Sequence, residues 1–365
     1  MNLAELYQWV EQVREIFCEL GHWQMMGLAL YSYGVLLSRH CAASRVAEYL
    51  PGVGKASSVQ KRLERFLDNE RINWRRCCRV WSAFVLRHYV GERIILLVDE
   101  TKLGANLSVM VVGLACGGWC IPLAFWTYKA DAWPMGQVAL IEELLCWVAE
   151  GVPDGVIPLL EADRGIGTSP ALVRVVEALG WHYLFRVQGQ TRFELPDGSQ
   201  FALQDLVTPA GAWSQAGRAF KKAGWLPSIA HLYWETPYQS AWCLLTNCPG
   251  ISSREYAKRT WQEGSFRDLK SDGWQWQSSH VFTPAHANLL LLVMTIAYAF
   301  VISLGTLVFE EPLLSQKLLS NHYSLFRLGL RLWQYGLDFI RNATRGLAQP
   351  FFVFLEPPPL KSVRP

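Results

Sequence analysis

Two aspartates in this 365-residue chain directly follow short apolar runs. Asp99 ends IILLVD, and Asp163 ends VIPLLEAD. A short apolar run of this kind is typical of a buried strand, so each carboxylate is expected where a strand leaves the core and faces a crevice. An aspartate in that position more often only caps a turn. With two of them on one predicted sheet, a shared site and two separate caps both remain open.

A third carboxylate, Glu263, belongs to a set of four residues with helical spacing. In SREYAKRTWQEGSFRDLK, intervals of three, four and seven positions separate Tyr256, Arg259, Glu263 and Lys270. Residues at these intervals share one stripe of a helix, so we predict one helix that presents all four. In the alternative interpretation the stripe is a solvated charged face, and Arg259 and Glu263 form an ordinary i,i+4 pair. That alternative leaves Tyr256 and the two strand carboxylates unexplained.

The chemistry that three carboxylates support is metal-dependent. Hard divalent cations such as Mg²⁺ prefer oxygen ligands. We predict Asp99, Asp163 and Glu263 as catalytic residues and as ligands of two Mg²⁺ ions, which would clamp the attacking and leaving oxygens of a phosphodiester displacement, with Mn²⁺ as the expected substitute. No covalent protein intermediate is required.

The spacing Tyr-x2-Arg-x3-Glu-x6-Lys resembles the signature of the insertion-sequence family-four DDE transposases, the group that contains the transposon-five type. All four residues are in register. The contexts VDET and EADRG also look like those of the family's first two carboxylates. The stretch between Asp163 and Glu263 resembles the family's β-rich insertion domain. The resemblance covers roughly residues 40–305.

This resemblance implies a cut-and-paste DNA transposase that cleaves at transposon ends and transfers the freed 3′-OH strand into target DNA. The partners would be transposon-end DNA and target DNA, and two copies would form a homodimer in the synaptic complex. The family uses the tyrosine, arginine and lysine of its signature to hold phosphates near the scissile end, which suits the guanidinium fork and the ammonium point charge. The DNA-binding candidates are Tyr256, Arg259, Lys270, Arg164, Lys102 and Trp234.

Trp234, in HLYWETPY, lies at about the place where the family keeps an aromatic residue. Such a residue can hold an extruded base by stacking. Trp213 and Trp225 compete for this role, and core packing is the ordinary role of any one of these three tryptophans.

The elements around the carboxylates follow a defined order. From 92 to 187 the patterns predict β-β-β-α-β-α-β, which is a three-stranded meander followed by helix–strand units. We interpret this α/β order as a ribonuclease-H-like catalytic core. A Rossmann core would need a β-α-β start and a glycine fingerprint, and GIGTSP places Pro170 where the last glycine should stand.

Charge changes along the chain and helps to divide it into regions. Residues 51–90 carry 9 basic and 3 acidic residues, whereas residues 91–182 carry 5 basic and 11 acidic residues. This order fits a DNA-contacting arm joined to a metal-binding core, although a solvated charged helix gives the same counts. The predicted regions are a helical N-terminal DNA-binding region at 1–90, the catalytic core at 91–187 and 241–308, a β-rich insertion at 188–240, and a helical C-terminal region at 309–365 that is a candidate for dimerisation.

One apolar run raises the question of a membrane. No charged residue occurs between Ala287 and Phe309, and a run of this length can span a bilayer. A helix that is hydrophobic all round can equally be the central helix of a large core, and we favour that interpretation and no membrane partner. The nine cysteines include no CxxC pair, which fits free thiols in a reducing cytoplasm. We therefore expect a cytoplasmic protein that joins the nucleoid when it binds DNA.

Two other functions remain open on the sequence. A ribonuclease-H-like DNA nuclease would cut without strand transfer, and only the helix signature favours a transposase over it. A domesticated transposase would bind DNA without catalysis, and the presence of all three carboxylates argues against that function.

Overall fold

The computed structural model describes residues 3–87, 89, 91, 93–130, 132–235, 239–310 and 324–335. This part of the chain has a mixed α/β fold with one ten-stranded sheet and eleven α-helices. Most of the predicted C-terminal region 309–365, including its expected role in dimerisation, lies outside the described residues.

The first described residues form a layer of helices. Helix α4 shows why these segments are helical, because its buried residues Val59, Leu63, Phe66 and Leu67 recur at intervals of three or four. Helix α5 begins at an ordinary N-cap, where the Asn73 side chain accepts a hydrogen bond from the backbone N–H of Arg76. The helices are α1 (Leu3–Ile16), α2 (His22–Ser38), α3 (Ala43–Glu48), α4 (Ala56–Leu67) and α5 (Trp74–Leu86).

The next segment confirms the predicted element order. Three strands are followed by a helix, a fourth strand, two consecutive helices and a fifth strand. The only addition to the prediction is the short helix α7 directly after Asp163. The elements are β1 (Arg93–Leu103), β2 (Leu107–Cys116), β3 (Trp119–Lys129), α6 (Gln137–Ala149), β4 (Ile157–Ala162), α7 (Arg164–Gly167), α8 (Pro170–Ala178) and β5 (His182–Arg186).

The segment 188–240 extends the same sheet. The remaining elements are β6 (Arg192–Glu194), β7 (Gln200–Ala202), β8 (Ala212–Ala219), β9 (Leu226–Tyr233), β10 (Trp242–Thr246), α9 (Thr260–Arg267), α10 (Pro284–Glu310) and α11 (Leu325–Tyr335). Strand β9 pairs antiparallel with β10, and β10 pairs with β5. The sheet therefore runs without interruption in the order β3-β2-β1-β4-β5-β10-β9-β8-β6-β7.

The register between β1 and β4 places the two aspartates side by side. These strands are parallel, and their last paired positions are Val98 and Ala162. Asp99, within β1, and Asp163, directly after β4, are the next residues along the chain, so both carboxylates stand where the parallel pairing ends. The sequence placed Asp99 at the end of its strand, and this was wrong: β1 continues to Leu103 because β2 pairs with it along that whole stretch.

Strand β3 lies at one edge of the sheet, and side chains from the helices bond to its backbone. Trp81 of α5 donates to the carbonyl oxygen of Pro122 at 2.8 Å. Asn288 of α10 accepts from the backbone N–H of Thr127 at 2.8 Å. An edge strand otherwise exposes unpaired N–H and C=O groups, so these bonds also fix α5 and α10 against the sheet.

Helix α10 is the apolar run that could have been a membrane span. Among the described residues one segment, Pro284–Val308, is long and apolar enough to cross a membrane, and 83% of its most apolar stretch is buried inside the fold. Burial on this scale favours the core-helix interpretation. Helix α11 crosses it closely, because a Cβ atom at Gly305 would lie 2.1 Å from the carbonyl oxygen of Leu325. Glycine is therefore required at that crossing.

Candidate active site

Asp99 is the most deeply buried of the three predicted carboxylates, with 13% of its side chain exposed. Its Oδ1 accepts a hydrogen bond from the backbone N–H of Glu100 at 2.9 Å, and its Oδ2 accepts one from Arg259 at 3.0 Å. Burial raises the pKa of Asp99 to about 6; Arg259 opposes this shift, and the nearby carboxylates of Asp163 and Glu263 add to it. The raised pKa therefore reflects the burial of Asp99 first, and the neighbouring carboxylates second.

Asp163 has two functions that the sequence had left as alternatives. Its Oδ1 accepts from the backbone N–H of Ile166 at 3.0 Å and caps α7. Its Oδ2 lies 3.9 Å from Nη2 of Arg259. The tight turn after it depends on Gly167, because a Cβ atom there would lie 2.6 Å from the carbonyl oxygen of Arg186. The cap thus fixes the second oxygen towards the site.

The four signature residues do not lie on one α-helix, and that prediction was wrong. Tyr256 and Arg259 belong to a 3₁₀-helix, Ser253–Arg259. Glu263 belongs to α9, and Lys270 lies in a π-helical turn, Asp268–Asp272. The segment is continuous but changes its pitch twice, from a 3₁₀-helix to an α-helix and then to a π-helical turn.

Arg259 joins all three carboxylates. Its guanidinium lies 3.0 Å from Asp99 and 3.9 Å from Asp163, and it also forms an ion pair with Glu263. Burial lowers the pKa of Arg259, but Asp99, Tyr256 and Glu263 outweigh this effect and raise it. The Arg259–Glu263 contact is therefore part of a four-residue network and not an ordinary surface pair.

Helix α9 is fixed by polar residues that the sequence did not indicate. The Gln262 side chain donates to the carbonyl oxygen of Val111 in β2 at 3.1 Å. Ser265 Oγ accepts from the backbone N–H of Cys120 in β3 at 2.9 Å. Both side chains are buried, and together they hold α9, which carries Glu263, against β2 and β3.

Asp268 anchors the end of the same helix. Its Oδ2 accepts from Trp119 Nε1 at 3.1 Å and from the Tyr298 hydroxyl at 3.3 Å. Burial raises the pKa of Asp268 to about 6, while these two hydrogen bonds oppose the shift. No sequence signal could have identified this role, since its partners lie 149 and 30 positions away.

Lys270 reaches the same cleft from the π-helical turn. Its Nζ donates to the hydroxyl of Thr101, which lies two residues after Asp99 in β1. Burial lowers the pKa of Lys270, and Asp99 opposes this shift. The open cleft in front of Asp99 is lined by Glu100, Thr101, Glu263, Phe266, Arg267, Lys270, Ser271 and Gln277. It presents two basic side chains beside the carboxylates.

Tyr256 and Glu161 are buried beside the network, close to the end of β4 that leads into Asp163. Only 4% of Tyr256 is exposed, and its ring packs edge-on against Trp242 at 5.3 Å. Glu161 is fully buried, neither of its carboxyl oxygens has a hydrogen-bond partner, and burial raises its pKa. Tyr256 therefore packs in the core, and Glu161 is a buried carboxylate that the sequence did not single out.

The three remaining predicted DNA contacts do not line the cleft. Arg164 is exposed at the start of α7. Lys102 is exposed on β1, and because strand side chains alternate, it faces away from Asp99 and Thr101. Trp234 is half-buried directly after β9, where its backbone N–H donates to the carbonyl oxygen of Gly211. Asp99, Glu263 and Lys270 line the cleft, Asp163 and Arg259 join them through the ion-pair network, and Tyr256 is buried beside that network.

The donor chemistry of the network suits a hard divalent metal, since Asp99, Asp163 and Glu263 supply only oxygen atoms. Within the described residues, however, no group of three His, Cys, Asp or Glu side chains is already arranged around a metal position. The guanidinium of Arg259 instead lies among the three carboxylates and supplies the positive charge there. The residues fit the metal, provided that this guanidinium moves.

No model of a known protein family matches the chain, and no curated protein matches it.

Proposed function

We propose that the chain is a DNA transposase that catalyses metal-dependent cleavage at transposon ends and 3′-OH strand transfer into target DNA. One observation carries the proposal: carboxylates from β1, from the end of β4 and from α9 converge on a single guanidinium. Three separate elements contribute them, one carboxylate is largely buried and the other two are partly or largely exposed, and such a cluster of like charges around a cleft is typical of a functional site.

The topology supports a ribonuclease-H-like core for this enzyme. Strands β1, β2 and β3 form an antiparallel meander. Strand β4 pairs parallel to β1, and β5 pairs parallel to β4. These strands lie in the order β3-β2-β1-β4-β5, which is consistent with the predicted meander followed by helix–strand units and brings Asp99 beside Asp163.

In this proposal each residue of the carboxylate network and of the neighbouring cleft has a defined role. Asp99, Asp163 and Glu263 hold two divalent ions, which when bound activate the attacking oxygen and stabilise the charge on the phosphate. Lys270 and Arg259 bind phosphate oxygens of the DNA end, the first as a point charge and the second as a fork. Asp268 and Gln262 keep α9 in place so that Glu263 meets the other two carboxylates.

DNA binding is further supported by the exposed surface of α4. Lys61 and Arg65 lie one turn apart and are exposed, and neither has an ion pair in the described part of the chain. The helix buries its apolar side against the fold and presents these cations outwards. An unpaired basic helix face is a suitable contact for the phosphate backbone of DNA. The proposed enzyme acts in the cytoplasm, as a homodimer when two DNA ends are joined.

The test is cleavage and joining of a labelled linear DNA that carries the ends of the element encoding this chain, in the presence of Mg²⁺. Glu263→Gln removes one charge without changing shape, and Glu255→Gln is the matched control on the same helical segment. We expect 3′-OH formation and strand joining by the wild type and the control only. Cutting without joining would favour a nuclease, and binding without cutting would leave a DNA-binding protein.

A further inference from the structure

Arg259 is held by the carboxylates rather than by the surrounding fold. Its two terminal nitrogens contact Asp99, Asp163 and Glu263. Its Nε is buried and has no hydrogen-bond partner. A guanidinium has five N–H donors, and the donor that could bond to the rest of the protein is left unused. The position of Arg259 therefore depends on the negative charge in front of it.

The carboxylate oxygens that face Arg259 are also those that a metal would need. Oδ1 of Asp99 is engaged by the backbone N–H of Glu100, and Oδ1 of Asp163 by the backbone N–H of Ile166. Only Oδ2 of each aspartate is directed into the site, and both of these oxygens face Nη2 of Arg259. A divalent cation and the guanidinium thus compete for the same oxygens and also repel each other.

We propose that Arg259 is a resident counter-cation of the metal-free enzyme, which keeps the three carboxylates together and must leave them before divalent metal binds. This inference rests on the proposed function and concerns the regulation of that same site. It has two consequences: the guanidinium lowers the affinity for metal in the absence of DNA, and it stabilises the metal-free fold. Once displaced, Arg259 is free for the phosphate-binding task described above.

The test is Mn²⁺ binding to the full chain without DNA, measured by the electron paramagnetic resonance signal of free Mn²⁺. Arg259→Met keeps the length of the side chain and removes its charge. Arg267→Met is the control, because Arg267 lines the same cleft and loses the same charge but has no ion pair with the three carboxylates. We expect Arg259→Met to raise the affinity for Mn²⁺ at least tenfold, and Arg267→Met to raise it far less. Equal effects of the two substitutions would overturn the proposal.

Thermal unfolding provides a second readout that does not need a tight complex. We expect Arg259→Met to lower the Tm of the metal-free protein, and saturating Mn²⁺ to raise the Tm of this variant more than that of the wild type, since ligand binding to the folded state stabilises it. An equal rise in both proteins would contradict the proposal. If Arg259→Met does not fold, Arg259→Gln takes its place in both measurements.

The two claims fail in different ways. Binding of Mn²⁺ that Glu263→Gln abolishes but Arg259→Met leaves unchanged would refute the counter-cation and leave the proposed function intact. If Mn²⁺ binds to none of the folded proteins, the metal site itself is refuted, and with it the proposed function.

Discussion

Nη2 of Arg259 lies 3.0 Å from Oδ2 of Asp99, although 160 positions separate the two residues in the sequence. The contact joins the middle of the sheet to the helical segment after β10, so it brings together the two parts of the chain that the signature and the strand aspartates had indicated separately. Because both side chains are largely buried, this contact can form only when the two parts of the chain are packed against each other.

Lys270 is predicted to contribute to DNA binding rather than to the assembly of the carboxylates. Lys270→Met should weaken the binding of end DNA about tenfold and reduce the dependence of log Kd on log salt by about one unit, because one phosphate contact is lost. Mn²⁺ affinity without DNA should not fall. Fluorescence anisotropy at several salt concentrations measures this, with Lys129→Met at the exposed end of β3 as the control.

The basic face of α4 is predicted to bind DNA far from the cleft. The double substitution Lys61→Ala and Arg65→Ala should lower DNA affinity at least tenfold at low salt and leave Mn²⁺ binding unchanged. Arg14→Ala, which removes an exposed cation that is paired with Glu11 on α1, should have little effect on DNA affinity. Equal loss of DNA affinity in both variants would mean that general charge, and not this surface, determines binding.

Much of this arrangement was predictable from local patterns, and the rest was not, for a physical reason. The apolar runs that precede Asp99 and Asp163 have a strand signature, and the order of strands and helices from 92 to 187 was predicted from the alternation of these patterns. Asp268 and Gln262 lie in an ordinary polar stretch, and only distant partners, on β2, β3 and α10, give them a role. Helical spacing alone could not predict the pitch changes around Glu263, because it assumes one regular α-helix.

The extension of the sheet by the segment 188–240 could also not be predicted from the sequence. The turns and aromatic residues of segment 188–240 predict β structure there. Nothing in the local sequence, however, specifies that β9 pairs with β10. Pairing between strands depends on which backbone edges meet in the folded chain. The long β1 is a similar case, since its polar second half is a strand only because β2 pairs with it.

Asp268 should make stability depend on pH. Burial raises its pKa from the ordinary aspartate value of 3.8 to about 6 in the folded protein, so the folded state keeps a proton that the unfolded state releases. The free energy of unfolding should therefore fall as pH rises from about 4 to about 6, by about 3 kcal/mol from this group alone.

Urea unfolding of the wild type and Asp268→Asn at pH 4 and pH 7 isolates this contribution. Asp99 and Glu161 also have raised pKa values, but they are present in both proteins and cancel in the difference. Relative to the wild type, the variant should gain stability between pH 4 and pH 7. A difference between the two proteins that stays constant with pH would show that Asp268 does not titrate in this range.

Two glycines near the site should respond to alanine in opposite ways. Gly167→Ala should destabilise the fold by about 2 kcal/mol or more, because the added Cβ would lie 2.6 Å from a backbone carbonyl oxygen. Gly264 lies within α9 with open space at its Cβ position, so Gly264→Ala should stabilise the fold by up to about 1 kcal/mol. Urea unfolding measures both changes, and a stabilising Gly167→Ala would contradict the turn geometry at Asp163.

The measurement that tests the central claim most directly is cleavage of end DNA by Asp99→Cys in Mg²⁺ and in Mn²⁺. If Asp99 is a metal ligand, a thiolate in its place should abolish activity in Mg²⁺, a hard cation that prefers oxygen, and Mn²⁺, which accepts sulfur more readily, should restore part of it. Asp99→Ser, which offers no thiolate, should stay inactive with both metals. Activity of Asp99→Cys that is the same in the two metals would contradict the assignment of Asp99 as a metal ligand.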